Sequence, residues 1–240
     1  MSRGPLSRLD PSTRVTPARA DATTTWLLAG GVVAGPLFLA VWAVQALSRE
    51  GFDPMRHPLS LLSLGEAGWV QILNFVITGA LYLACAVGLR RRLRPGRAAR
   101  WAPILIGMNG VGLVLAGVFL TDAGAGFPPG APEGAPQYSW HGILHEAGFL
   151  LVVVPWVVAC VVLARRFAAE GMRLWVALCI VAPVAFIAVS GWPHQGSLSL
   201  RLVGATAISF ALVAAVAIRL MREMPGDDDG RLTTAITHVR

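Results

Sequence analysis

Six apolar segments, each long enough to cross a bilayer, dominate this sequence. A helix needs roughly 20 apolar residues to span the hydrocarbon core. Because lipid cannot hydrogen-bond to the backbone, segments of this kind are expected to be helical. The sequence therefore predicts an all-α, polytopic integral membrane protein built as a six-helix transmembrane bundle. The predicted spans are residues 25–47, 67–89, 102–120, 140–164, 174–191 and 202–221.

Little of the chain is left for a soluble domain. Hydrophobic residues make up 55% of it and charged residues only 14%, against about 25% charged residues in an average soluble domain. We expect a disordered cytoplasmic tail over residues 1–24, the transmembrane domain over 25–221 and a second cytoplasmic tail over 222–240. A composition rich in Ala, Gly, Arg and Pro without lysine is typical of GC-rich bacterial genomes. The expected location is therefore the bacterial plasma membrane.

Arginine is distributed unevenly between the two sides of this pattern. All but three of the 20 basic residues, which are all arginines, lie in the two tails, near the C-terminal end of span six (Arg219) or in the links after spans two and four. The exceptions are Arg49, Arg56 and Arg201. Basic residues are retained on the cytoplasmic side during insertion, so both termini are predicted to be cytoplasmic. The net charge of +7 then reflects topology and contact with the lipid bilayer, and no nucleic-acid partner is expected.

The links on the other side of the membrane, the outer links, are longer. The first contains the stretch HPLSLLSLG, in which Pro58 suits the start and Gly65 the end of a short interfacial helix. The second, residues 121–139, holds four prolines and four glycines. This composition excludes regular structure and makes the second link a candidate lid over the outer mouth of the bundle.

Most histidines lie on this outer side. In the stretch HGILHE at the start of span four, His141 and His145 are four residues apart and share one helix face. This spacing suits two ligands of one Zn²⁺ ion, and His57 in the first outer link would complete a three-histidine metal site. The alternative is an interfacial histidine pair that hydrogen-bonds to loop carbonyls. His194 lies in the third outer link.

Three further polar residues are candidate catalytic groups beside these histidines. Asp122 ends span three and Glu146 follows His145, so either carboxylate is a candidate general base. The alternatives for Asp122 are to orient an imidazole, to ligate a metal or to remain a solvated charge at the membrane boundary. Ser60, in the first outer link, is a candidate oxyanion-binding group.

A polar stripe follows one face of span two. Its members recur every three or four residues and are Gln71, Asn74, Thr78, Tyr82 and Cys85. Such a face avoids lipid, and it either lines a cavity below the outer site or joins helices by hydrogen bonds. Asn109 in span three is the expected partner of the stripe. Gln71, Asn74 and Asn109 are therefore candidate cavity-lining residues.

Together these motifs resemble those of a known family. The order of six spans, the HPLS-like first outer link, the aspartate after span three and the histidine that opens span four resemble a large bacterial membrane family, the domain of unknown function 998. The resemblance covers roughly residues 25–221. It implies a fold but no established activity.

A second resemblance is more distant. Transmembrane hydrolases of the alkaline ceramidase and progestin-adiponectin receptor type combine Ser, Asp, His and an HxxxH pair around zinc, and Ser60, Asp122, His57, His141 and His145 are similar ingredients. The chain departs from that type in three ways. It has six spans instead of seven, its HxxxH lies on span four instead of the last span, and its first histidine precedes the serine.

Three classes of function are compatible with these features. The first is a metal-dependent hydrolase of lipid or small amide substrates at the outer leaflet. The second is a small-molecule or proton-coupled transporter, with His145 and Asp122 as protonatable gates. The third is a non-catalytic membrane sensor or complex subunit. Bound zinc that is lost on replacing either His141 or His145 would favour the first class.

Overall fold

The computed structural model describes residues 17–96, 98–193 and 195–223. It contains six α-helices and two short 3₁₀ helices, η1 and η2, and within the described residues the only β-type pairing is an isolated bridge between Gly124 and Phe127. The α-helices are α1 (Pro17–Ser48), α2 (Gly68–Arg92), α3 (Trp101–Val118), α4 (Trp140–Ala169), α5 (Arg173–Ser190) and α6 (Leu198–Arg222), with η1 at Leu59–Ser63 and η2 at Gln195–Ser197. All six α-helices are long and apolar enough to cross a membrane, which confirms the predicted six-helix membrane bundle.

Several helix ends differ from the predicted spans. α1 begins at Pro17, inside the predicted N-terminal tail, because proline suits the first position of a helix and the alanines that follow favour helix. α4 continues five residues beyond the predicted end, to Ala169. α3 ends at Val118, two residues early, because Phe119 is already extended. Residues 1–16 and 224–240, which hold most of the two predicted tails, lie outside the described residues, as does His194.

The helices form a ring in chain order. Each one packs against the next, and α6 closes the ring by packing against α1. Because consecutive helices run in opposite directions, the bundle has two distinct ends. We call the end formed by the links 49–67, 119–139 and 191–197 the histidine end, and the end formed by the links 93–100 and 170–172 the arginine end.

Glycines bring α3 very close to its neighbours. A Cβ atom on Gly112 would lie only 2.6 Å from the carbonyl oxygen of Gly148 in α4, and one on Gly79 in α2 would lie 2.6 Å from the carbonyl oxygen of Gly110. Side chains larger than hydrogen would therefore push these backbones apart. The side chain of Asn109 adds a hydrogen bond of 2.9 Å from its Nδ2 to the Val152 carbonyl oxygen of α4.

The first two links of the histidine end fold into a small apolar cluster of their own. Its buried members are Ala46, Phe52, Leu61, Leu62 and Phe127. The leucines come from the HPLSLLSLG stretch, which forms the 3₁₀ helix η1 between Pro58 and Leu64. The Arg49 guanidinium donates to the Leu62 and Leu64 carbonyl oxygens, which the short helix leaves unsatisfied. The predicted short helix is thus present as a 3₁₀ turn with leucines facing protein.

Candidate functional site

A cavity of about 240 Å³ lies inside the ring, towards the histidine end. We call it the central cavity. All six helices and η1 contribute to its wall. One lining residue from each element, given for η1 first and then for α1 to α6, is Ser60, Phe38, Phe75, Asn109, His145, Phe186 and Phe210. Because every helix takes part, the cavity is a property of the closed bundle and not of any one link.

The wall is mostly apolar, with a few polar groups. The hydroxyls of Thr206 and Ser209 donate to carbonyl oxygens of their own helix, at 2.8 Å each. This leaves Ser60, His145 and Glu146 as polar side chains towards the histidine end, with Asn109 further along the wall. An apolar pocket with a few convergent polar groups is the usual form of a small-molecule site.

His145 is fixed by the end of the preceding helix. Its Nδ1 lies 3.0 Å from the carbonyl oxygens of Ala116, in the last turn of α3, and Phe119, directly after it, where carbonyl groups lack a helical partner. Carbonyl oxygens only accept hydrogen bonds, so Nδ1 carries the proton. Nε2 is then an acceptor, and no described residue bonds to it. His145 is only 4% exposed and lines the central cavity, so its buried side chain offers the cavity a nitrogen acceptor.

Two more buried polar atoms of cavity-lining residues lack partners among the described residues. They are Oδ1 of Asn109 and the indole Nε1 of Trp156, whose side chains are almost fully buried. Buried polar groups nearly always have a hydrogen-bond partner in folded proteins. Because protein encloses both atoms almost completely, they are unsatisfied groups behind the cavity wall and do not mark a ligand position.

Asp122 and Ser139 form a separate cluster that begins α4. Ser139 is the N-cap of α4, and its Oγ accepts a hydrogen bond from the Gly142 amide at 3.1 Å. The Ser139 hydroxyl donates to one carboxylate oxygen of Asp122 at 2.6 Å, and the Ser139 amide donates to the other at 2.8 Å. Gly142 leaves room for this carboxylate, because a Cβ atom there would overlap it. Burial raises the pKa of Asp122, but the two Ser139 hydrogen bonds and the nearby His141 and His145 outweigh it, so the pKa lies below the ordinary 3.8.

His141 belongs to this cap cluster and does not line the central cavity. Ser139 Oγ lies 3.0 Å from both ring nitrogens, Nδ1 lies 3.1 Å from the Leu120 carbonyl oxygen, and Nδ1 lies 3.8 Å from the nearer Asp122 oxygen. The Ser139 proton is committed to Asp122, so Ser139 does not act as a nucleophile here. His141 and His145 thus share a helix face but have different partners.

His57 holds the first two links together. Its Nδ1 accepts from the Asp53 amide at 2.8 Å, so its Nε2 carries the proton and donates to the Ala125 carbonyl oxygen at 2.9 Å. The ring also packs against Phe52 and Phe127, at centroid distances of 5.5 Å. Both nitrogens are occupied by backbone groups, which makes His57 a structural residue in this arrangement.

The residues nominated for zinc do not fit one shared ion. His57 has no lone pair left for a metal, and His141 and His145 are engaged with different carbonyl oxygens. In the described part of the chain, no three His, Cys, Asp or Glu side chains are arranged to hold a metal ion. Zinc binding stays a prediction that this geometry does not support.

The polar stripe of α2 faces α1 instead of the cavity. Asn74 donates to the Phe38 carbonyl oxygen at 3.1 Å, and Gln45 donates to Gln71 Oε1 at 2.8 Å. Neither Gln71 nor Asn74 lines the central cavity, whereas Asn109 does. Asn109 pairs with α4 and not with the stripe, because the Gly112–Gly148 contact brings α4 within its reach.

Of the nominated residues, the structure places Ser60, Asn109, His145 and Glu146 on the central cavity. It places Asp122 and His141 in the α4 cap, and His57 in the contact between links. Two contributors went unnoticed in the sequence. Ser139 could have been found as a serine just before an apolar helix, which is a common N-cap signal. The cavity role of Trp156 has no sequence signal, since a central tryptophan is equally typical of helix packing.

Comparison with known proteins gives one match. A family model described as protein of unknown function (DUF998) matches residues 32–220. The match covers every residue that lines the central cavity. No curated protein and no solved structure matches the chain.

Proposed function

The chain belongs to the family of proteins of unknown function DUF998, and we propose that it binds a small, largely apolar molecule with one hydrogen-bonding end in the central cavity. The observation that carries this proposal is Nε2 of His145, an acceptor without a partner among the described residues, on a buried side chain in a mostly apolar wall. A buried acceptor is costly unless a donor reaches it. A ligand donor supplies that bond, and the apolar wall accommodates the rest of the molecule.

The membrane setting supports an outward-facing site. The six helices make the chain a multi-pass membrane protein. We propose that it lies in the bacterial plasma membrane with the arginine end in the cytoplasm, because that end carries most of the basic residues. The central cavity would then serve molecules from the outer leaflet or the outer side.

Cysteine labelling tests this orientation. The three native cysteines are buried, so they add little background. Ala135 lies exposed at the histidine end and Ala169 lies exposed at the arginine end, which offers a matched pair of Ala→Cys variants. In intact bacteria, a membrane-impermeant maleimide should label A135C and should label A169C only after the cells are opened. The reverse pattern would contradict the proposal.

Photolabelling tests ligand binding. The probe is a long-chain alcohol with a diazirine in its chain, added to protein in phosphatidylcholine vesicles. Val153 lines the cavity, whereas its neighbour Val154 faces outward with 55% of its surface exposed. We expect labelled peptides from the cavity wall, at least about tenfold less labelling in V153W because the indole fills the cavity, and normal labelling in V154W. Equal cavity labelling in V153W and the unmodified protein would contradict binding there.

A second candidate function is hydrolysis of an ester or amide of the bound molecule. It is favoured by the placement of Ser60, His145 and Glu146 on one cavity. In this reaction Nε2 of His145 takes a proton from the attacking water and returns it to the leaving alcohol or amine. With a long-chain acyl ester or amide as the test substrate, H145A should lose activity and H141A should keep it, since His141 does not line the cavity. Equal activity of the two variants would contradict this mechanism.

A further inference from the structure

α5 ends well short of its neighbour α4 at the histidine end. The rings of Trp156 in α4 and Phe186 in α5 meet at 5.3 Å, which fixes their common level in the bundle. From Phe186, α5 continues only to Ser190, about 6 Å at 1.5 Å per residue. From Trp156 back to Glu146 is about 15 Å along α4 by the same rise. Near Glu146, therefore, α5 no longer separates α4 from α6.

The cavity wall at this level is also exposed to the outside. Glu146 and Phe149 of α4 both line the central cavity, and Phe149 has 42% of its surface exposed. On the other side of the gap, Leu202 and Thr206 of α6 line the same cavity. We call this opening, bounded by Glu146, Phe149, Leu202 and Thr206, the lateral portal. It faces sideways between two transmembrane helices, and so it faces lipid.

The end of α5 is held in place below the portal. Arg201 in α6 donates to the carbonyl oxygen of Ser190, the last residue of α5, and to that of Trp192, two residues beyond it. A cation at a helix C-terminus is favourable both for the unsatisfied carbonyls and for the helix dipole. This contact ties the C-terminal end of α5 to α6, beside the portal.

The lining of the central cavity extends over several helical turns. Along α4 its lining residues run from His145 to Trp156, a distance of about 16 Å for 11 residues. A volume of about 240 Å³ over that length suits one alkyl chain better than a compact or two-chain molecule.

The polar groups nearest the portal are mainly acceptors. Nε2 of His145 accepts, because Nδ1 holds the proton, and the carboxylate of Glu146 accepts and is negative. Ser60 adds a hydroxyl. Such a set matches a head group that donates hydrogen bonds, such as an alcohol, an amide or an amine, and disfavours a carboxylate or a phosphate.

We propose that the lateral portal admits a single-chain amphiphile with a hydrogen-bond-donating head directly from the membrane leaflet at the histidine end. Its head lies at His145, Glu146 and Ser60, and its chain extends towards Trp156. This inference rests on the proposed ligand-binding function and adds the ligand class and the route of entry.

Uptake kinetics of the diazirine alcohol test the route. The probe is supplied in the vesicle bilayer, and cavity labelling is followed over time in the full chain. In the L202W variant, an indole narrows the portal. The L200W variant is the control, because Leu200 is an exposed residue of α6 that does not line the cavity. We expect L202W to approach its own final level of labelling at least about tenfold more slowly than the unmodified protein, and L200W to behave as the unmodified protein.

The outcomes separate the two proposals. Unchanged uptake in L202W, with normal final labelling, would overturn entry through the portal and leave ligand binding intact. Absence of cavity labelling in the unmodified protein would overturn ligand binding itself. Loss of final labelling in L202W, with V154W and L200W still labelled, would also overturn the portal, because Leu202 would then belong to the binding surface and not to the route.

Discussion

At the scale of single residues, the two histidines of HGILHE show how one backbone contact assigns a role. Their spacing predicts a shared helix face, and the structure has it. Their roles differ because His145 meets the end of α3 and lines the cavity, whereas His141 meets Ser139 and Asp122. Sequence spacing gives the face of a helix, but the partner depends on where the neighbouring helix ends.

Asp122 gives a prediction at this scale. Its pKa lies below the ordinary 3.8 in the folded protein, so its contribution to stability is present above that value and is lost as pH falls through the lowered pKa. The melting temperature of the unmodified protein in detergent should therefore exceed that of D122N by a constant amount above about pH 5 and approach it below about pH 4. If the difference in melting temperature stayed constant at acidic pH, the ionised Asp122 carboxylate would not be its source.

At the scale of elements, the links of the histidine end are better ordered than their composition indicates. Residues 121–139 are irregular, as the prolines and glycines predict, but Phe127 is fully buried and Ala125 accepts a hydrogen bond from His57. These contacts lie between residues almost 70 positions apart, so no local pattern reveals them. The prediction that residues 121–139 form a lid is not supported, because the link residues that line the central cavity are Pro58, Leu59 and Ser60 of the first link.

Removing one anchor of these links should release them locally. Phe127 packs edge to face on Phe52 at 5.3 Å and lies beneath Arg49. We expect F127A to cost about 3 kcal/mol in the stability of the two links, the usual loss for a buried phenylalanine. Limited proteolysis should then cut within residues 121–139 while the helices stay protected. Y138A, at an exposed position in the same link, is the control that should remain resistant.

At the scale of the whole molecule, hydropathy and charge were sufficient to predict the number of helices, but they did not predict the central cavity. The six spans follow from long apolar segments, whose physics is local. The portal depends on α5 being shorter than α4 at one end, and on glycine contacts that set how closely α3 approaches α4. Gln71 and Asn74 illustrate the limit: their stripe is visible in the sequence, but which neighbour it faces is decided by packing.

The charge of the portal gives a prediction at this scale. Glu146 lines the cavity mouth, and its carboxylate should repel anionic ligands. In competition with the diazirine alcohol, a fatty alcohol should displace the probe about tenfold better than the carboxylate of equal length, a difference of about 1.4 kcal/mol. E146Q should reduce this preference to about twofold or less. Glu133→Gln, an exposed change at the same end, should leave it unchanged, and an unaltered preference in E146Q would contradict the assignment.

The closing contact of α6 against α1 has a consequence for biogenesis. The ribosome releases the helices in order, and five of them can enter the bilayer while the ring is still open. Until α6 arrives, the polar atoms of His145 and Asn109 face a seam open to lipid or to the insertion machinery. The wall of the central cavity is therefore complete only once α6 has been synthesised and inserted. A chain arrested before α6 would present quality-control proteases with a bundle that is inserted but unsealed.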